Sequence, residues 1–526
     1  MAHSDAGRRA WQLCCMLAVL LAGCGTTTKN IPTASPAPRS APAEPRVAGV
    51  DPAGLINRVT WGINPSTLHE AETSGLPAWL ARQLHPGQAT LPEPVQAVID
   101  TMDISRVPVE QLVSRAEQQR LDGRAASQDP DARIASRQSY QQNLNQLARE
   151  TATRSLLRAI HSPNQLQEQM TWFWMNHFSV FQGKANVRAM LADYEERAIR
   201  PHVLGRFRDL LGASAHHPAM LRFLDNDQNA AGRINENYAR ELMELHTLGV
   251  DGGYTQQDVQ ELARVLTGVG INQSNARPRM RAALEERYVR RGLFEFNPAR
   301  HDFGSKTLLG QQIAGRGLDE LEQALDLLAA HPATARFVSR KLATYFVSDN
   351  PPAALVDQMA RRFSATGGDI AATLQLMFES RALQESFGRK FKDPMAWMVS
   401  AVRLSFDKQP VVNVAPLLVL LNRMGEPLYG RRTPDGYPLE ESAWTGSGQM
   451  NARFEAARAL AAGPPALLRA EGGPAERLPP PRLADSPVVK PITASLSGPS
   501  RLALAEARTP LEWNSFFLAS PEMMRR

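Results

Sequence analysis

The stretch Asn235 to Gly249, NENYARELMELHTLG, holds the densest set of groups able to exchange protons. At about 100° per residue on a helix, Tyr238, Leu242, Leu245 and His246 share one side, Glu236, Asn237, Arg240 and Glu244 share the other, and Glu241 lies at the border. Two readings of that polar face stand open. Arg240 is four residues from both Glu236 and Glu244, the spacing of a solvated ion-pair face. If the face lines a cleft instead, burial separates the pKa values of Glu236 and Glu241 and fits one of them for general acid work. Just upstream, Asp225, Asp227, Asn229 and Glu236 stand at positions 1, 3, 5 and 12 of a calcium-loop spacing, in which hard oxygens on a tight turn are closed by a carboxylate. Ala230 replaces the glycine that such a turn needs, and Gly232 and Arg233 also depart from the pattern, so bound Ca2+ and a plain polar loop between helices are both open.

Two imidazoles join these carboxylates. His177, in WFWMNHFSV, falls on the apolar stripe of a helix, where a histidine serves either as a hydrogen-bonded core residue or as a base. His301, Asp302 and Lys306, in HDFGSKTLLG, lie in a loop, the kind of segment from which catalytic side chains project. His177, Asp225, Glu236, Glu241, His301 and Asp302 supply an acid/base or metal site if the fold gathers them. Other chemistries are excluded by sequence. There is no HExxH zinc helix, Gly446-Ser447-Gly448 lacks the spacing of a nucleophile elbow, and no glycine-rich phosphate loop or dinucleotide fingerprint occurs. All three cysteines, Cys14, Cys15 and Cys24, precede the folded region, which therefore has no thiolate chemistry.

The elements that must position these groups are helical. Ser162, Pro163 and Gln165 read as a capped helix start, followed by Leu166, Met170, Phe173, Trp174 and His177 at helical spacing. Thr255 with Asp258 opens another helix that stops at Gly268, His331-Pro332 opens a third, and His217-Pro218 reads as a helix N-terminal turn. Strand signals are scarce, so the expected fold is mainly α, a large multi-helix globular domain with few or no strands. That domain spans 47–463, with 101–150 as a polar helical insertion. Residues 464–500 read as a Pro/Ala-rich flexible stretch, and 501–526 as a C-terminal segment whose Trp513, Phe516 and Phe517 dock on the core.

Ahead of the domain, Arg8 and Arg9 precede an apolar run, Leu13 to Leu21, too short to span a bilayer, so 1–23 reads as an export signal. Leu21-Ala22-Gly23-Cys24 resembles a bacterial lipobox, which implies cleavage before Cys24 and acylation of that residue, with 24–46 as a flexible Pro/Ala/Ser/Thr-rich tether. Gly25 in place of aspartate fits sorting to the outer membrane. The arginine pair leaves the Sec and twin-arginine routes both open. Net charge is +6 with no basic block, which argues against a nucleic-acid partner.

FWMNHFSV, LRFLDN, NENYARELMELHTLG with GGYTQQDVQELARVLTG, NPARHDFGSKTLLG, ATARFVSRKLATYFVSD and the final LASPEMMRR, in that order, resemble the bacterial family of domain of unknown function 1800. Where that family has a glycine-tryptophan turn, this chain has Pro434, Asp435, Gly436 and Tyr437. The resemblance implies an exported, largely helical protein with an exported partner, and it supplies no reaction. The residues then allow a hydrolase or lyase acting on a cell-envelope or extracellular polymer, with Glu241 or Glu236 as acid/base, or a non-catalytic periplasmic scaffold or binding protein. For the anchor the expected outcome is definite: Cys24→Ala abolishes palmitate labelling and moves the protein out of the membrane fraction, as fractionation of labelled cells will report.

Overall fold

Prolines open many of the helices of this chain, and at seven of them the residue before the proline caps the helix that follows. The pattern is regular in the computed structural model, which describes residues 45–47, 49–125, 129–274, 276–469 and 479–526. The export signal, Cys24 and nearly all of the tether lie outside the described residues. Asp51, Asn64, Asp129, His217, His331, Asp393 and Thr509 each precede a proline at the first helical position, and each side chain accepts a hydrogen bond from a backbone N–H of the first turn. Proline favours an extended conformation in the residue before it, which is the conformation an N-cap needs, and its missing N–H is one that the helix start leaves unpaired anyway.

Helices make up 61% of the structure and strands 4%, so the fold is mainly α. The strands form a three-stranded antiparallel sheet, Val269–Ile271, Phe294–Phe296 and Val289–Arg291 in spatial order, and a hairpin of Lys306–Leu308 with Gln311–Ile313. The Gln165–His177 helix runs through the centre, buried on nearly every side, with Trp174 Nε1 donating to the Val203 carbonyl at 3.0 Å. Among the described residues no helix is long and apolar enough to cross a membrane.

The helix start expected at Thr255 is present in full. Thr255 and Asp258 form a reciprocal capping box, and Gly268 follows the Gln256–Val265 helix at φ +78°. The 101–150 stretch is a helical hairpin of Val109–Ala125 and Pro130–His161, whose second arm continues past the polar region into the core. The Pro510–Leu518 helix packs through fully buried Phe517 and Leu518, whereas Phe516, expected to dock, is exposed and Trp513 is half-buried, because the helix presents only one face inward; Trp444 is a core residue whose Nε1 donates to the Pro438 carbonyl at 3.0 Å.

Two further expectations shift. The central helix starts at Gln165 without a side-chain cap, because Ser162 closes the preceding helix and its Oγ accepts from Asn164 N at 3.2 Å; Gln165 turns back to donate to the Ala159 and Ser162 carbonyls. Within 464–500, read as flexible, the described residues form Pro465–Leu468, Leu483–Asp485 and Val489–Ser495, anchored by buried Leu467, Leu483, Val488 and Val489. Short proline-bounded turns carry no helical periodicity, so a few anchoring apolar residues are their only sequence signal.

Arg58 ties the N-terminal helix to three distant segments. Its guanidinium donates to the Phe346 and Ser386 carbonyls, to Ser386 Oγ at 2.9 Å and to the Arg526 carbonyl at 2.5 Å, with the side chain fully buried. Arg58→Leu orphans those carbonyls, each at a cost of about 1–3 kcal/mol. A fall in the denaturant midpoint corresponding to about 3 kcal/mol or more is expected in urea unfolding.

Candidate functional site

His177 ends the central helix inside an aromatic nest. Its ring packs edge-on against Trp174 and Phe178, and Nε2 lies 3.0 Å from the His246 carbonyl, while Nδ1 is buried without a partner. Burial holds the His177 pKa well below the ordinary imidazole value, with Lys341 and His246 adding to the effect, and holds His246 down to about 3, with Lys341 contributing. Both rings are therefore neutral. Lys341 lies 5.6 Å over the Phe337 ring and is lowered to about 8 by burial, which Asp435 and Glu440 partly offset. Glu241 is raised by burial, then by Glu244, against Arg240. The Pro434–Tyr437 turn closes this region. Asn176 Oδ1 accepts from Tyr437 N at 2.6 Å, its Nδ2 donates to the Tyr437 carbonyl at 2.9 Å, and Gly436 sits at φ +76° where a Cβ would come within 2.2 Å of the Asn176 carbonyl oxygen. Only glycine fits there.

The calcium-loop residues take separate partners. Asp225 pairs with Lys184 at 2.8 Å and Asp227 with Arg222 at 2.5 Å. Asn229 is buried, donates to the Ala263 carbonyl at 2.8 Å and accepts from Asn235 N at 2.9 Å, so it closes the end of the Gln256–Val265 helix. Glu236 precedes the Asn237–Glu244 helix and pairs with Arg240 at 3.2 Å and with Gln256 Nε2 at 2.7 Å, the solvated ion-pair reading. Among the described residues no group of three or more His, Cys, Asp or Glu is disposed to hold a metal ion.

His301 forms a third, fully enclosed cluster. Its Nδ1 lies 2.7 Å from the Thr267 carbonyl and its Nε2 3.2 Å from Glu320 Oε1, and Lys306 Nζ reaches Glu320 Oε2 at 2.6 Å. Burial alone would raise the Glu320 pKa, but the hydrogen bonds from His301 and Lys306 outweigh it and leave it lowered. Asp302 is bound instead by Arg264, at 2.8 Å. The structure thus brings His177 and Glu241 to one region, Asp225, Asp227, Asn229 and Glu236 to a second, and His301 and Asp302 to a third. None of the principal cavities is lined by any of them.

A cleft of about 390 Å³ lies elsewhere, beside a π-helical turn, Tyr194–Ile199. Such widened turns concentrate at functional sites. Here the turn carries two successive carboxylates to different depths. Glu195 is buried, accepts from the Tyr429 hydroxyl and pairs with Arg200 at 2.9 Å; Arg200 also binds Glu168. Glu196 faces the cleft, where Arg158 binds it directly and Arg154 Nη2 lies 3.6 Å away. Burial opposes ionisation of Glu196, but Arg158, Arg200 and Arg154 outweigh it and hold its pKa to about 2. The sequence reading missed this site. Its only signals are Arg154 and Arg158 at i,i+4 within an apolar turn and the Glu195-Glu196 pair.

Residues 54–525 match the family model described as protein of unknown function, DUF1800. The chain belongs to that family. No curated protein and no solved structure matches this DUF1800 chain.

The buried imidazoles give the protein a predictable acid response. An unfolded chain takes up protons on histidine near pH 6.5, whereas the folded chain resists until about 4 at His161 and about 3 at His246. The unfolded state binds more protons across that window, so stability falls as pH drops from 6.5 toward 4. Urea midpoints at pH 7.5 and 5 are expected to differ less in His246→Gln than in the unmodified protein.

Proposed function

We propose that this protein is a non-catalytic binding protein or scaffold of the cell envelope, held on the outer membrane through lipid-modified Cys24 and working beside an exported partner. One observation carries the reading: four of the five candidate acid/base groups are committed to internal partners, His177 to the His246 carbonyl, His301 to Glu320, Asp302 to Arg264 and Glu236 to Arg240, which leaves Glu241 without a second group to act with. A general acid or base must reach the proton it moves, and both imidazoles are buried and line none of the principal cavities. The family resemblance supports the envelope setting and the exported partner.

Co-sedimentation with isolated envelope polymer tests this. The expected result is stoichiometric retention of the protein with no soluble fragments released over hours. Release of fragments that Glu241→Gln suppresses would replace the binding reading with a hydrolase or lyase.

A further inference from the structure

We infer that the cleft beside the π turn binds a small organic anion, a carboxylate carried on an apolar body. This deepens the binding reading and rests on it.

The charge arrangement is layered. In the inner layer one guanidinium, Arg200, serves two carboxylates, Glu168 and Glu195, and its Nε lies 3.7 Å from a third, Glu196. In the outer layer two guanidiniums, Arg154 and Arg158, serve one, Glu196, and these three residues line the cleft. The other charged lining residues, Arg106, Arg197, Asp100 and Asp193, cancel in sign. The cleft wall therefore carries one positive charge in excess.

Donor capacity is in excess as well. A guanidinium has five N–H donors. Arg154 makes one hydrogen bond, to the Ala192 carbonyl at 2.7 Å, and Arg158 makes one, to Glu196. Arg154 is only 4% exposed and its Nε is buried without a partner. Unpaired donors on a desolvated guanidinium are costly, and a carboxylate is the anion whose two oxygens match that planar fork. Burial lowers the Arg154 pKa despite Glu196 and Glu195, which agrees with a cation lacking enough counter-charge.

Ile99, Ile104, Val107 and Leu112 add apolar side chains to the lining. A cleft of this volume with charged and hydrocarbon groups in its lining suits a small amphiphile. A bare inorganic ion would leave the hydrocarbon groups wet, and a neutral apolar molecule would leave the donors unpaired.

Isothermal titration of the full chain at low salt tests the assignment, with octanoate as probe and acetate, inorganic phosphate and octanol as controls. Octanoate is expected to bind at one site at least tenfold more tightly than any control, and more weakly as salt is added. Arg158→Gln should weaken it tenfold or more, and Val107→Asp should do the same through the half-buried apolar lining. Glu196→Gln should tighten it, because the internal carboxylate competes for the same donors. No octanoate binding, phosphate binding of equal strength, or octanoate binding indifferent to both Arg158→Gln and Glu196→Gln would overturn the inference. Those results leave the envelope-binding reading standing, whereas polymer cleavage would remove that reading without touching a measured octanoate site.

Discussion

Every α-helix ends with four carbonyl groups that have no partner inside the helix, and a protein assembled from short helices buries many such ends. Here long polar side chains from distant segments satisfy them. Arg58 reaches Phe346 and Arg526 reaches Tyr345, both at the end of the Pro332–Phe346 helix. Arg403 reaches Ile160 at the end of the Pro130–His161 helix, Asn229 reaches Ala263, and Trp397 reaches Leu518. A guanidinium spreads its donors over several acceptors, so one arginine can close ends that lie hundreds of residues apart in sequence. The same constraint explains why the final residues are embedded: Lys392 N donates to the Met524 carbonyl and Arg526 N to the Lys390 carbonyl, both at 2.8–2.9 Å.

That constraint also decides what the conspicuous polar residues do. Asn229, which stands at a calcium-ligand position, is occupied by a helix end, and His177 is turned to a carbonyl in an aromatic core where its charged form is excluded. His301, Lys306 and Glu320 fix the hairpin loop to the start of the Leu318–Ala330 helix, where Glu320 also accepts from Gly317 N at 3.1 Å. Removing one member of such a trio leaves the others buried and uncompensated.

The cleft at the π turn differs because its arginines are not used up. A regular helix advances about 100° per residue, and the extra residue of a π turn alters which side chains face inward. Glu195 thereby reaches the core and Arg200, while Glu196 stays at the rim between Arg154 and Arg158. Local backbone geometry, packing of the Pro130–His161 helix against this turn and the electrostatics of the cleft are thus one feature.

Much of the fold was legible in the chain. Helical class, the Thr255–Asp258 box and the caps before Pro218 and Pro332 all follow from interactions within a few residues of one another, which is why spacing alone reveals them. Family membership was legible for a related reason, since an ordered series of motifs survives without knowledge of their contacts. The partners of the polar residues were not legible. Whether His301 meets Glu320 and whether Arg154 keeps free donors depend on segments brought together from about 20 to more than 40 residues away. Tertiary packing alone sets those meetings, because the cost of burying a charge depends on what else is buried beside it.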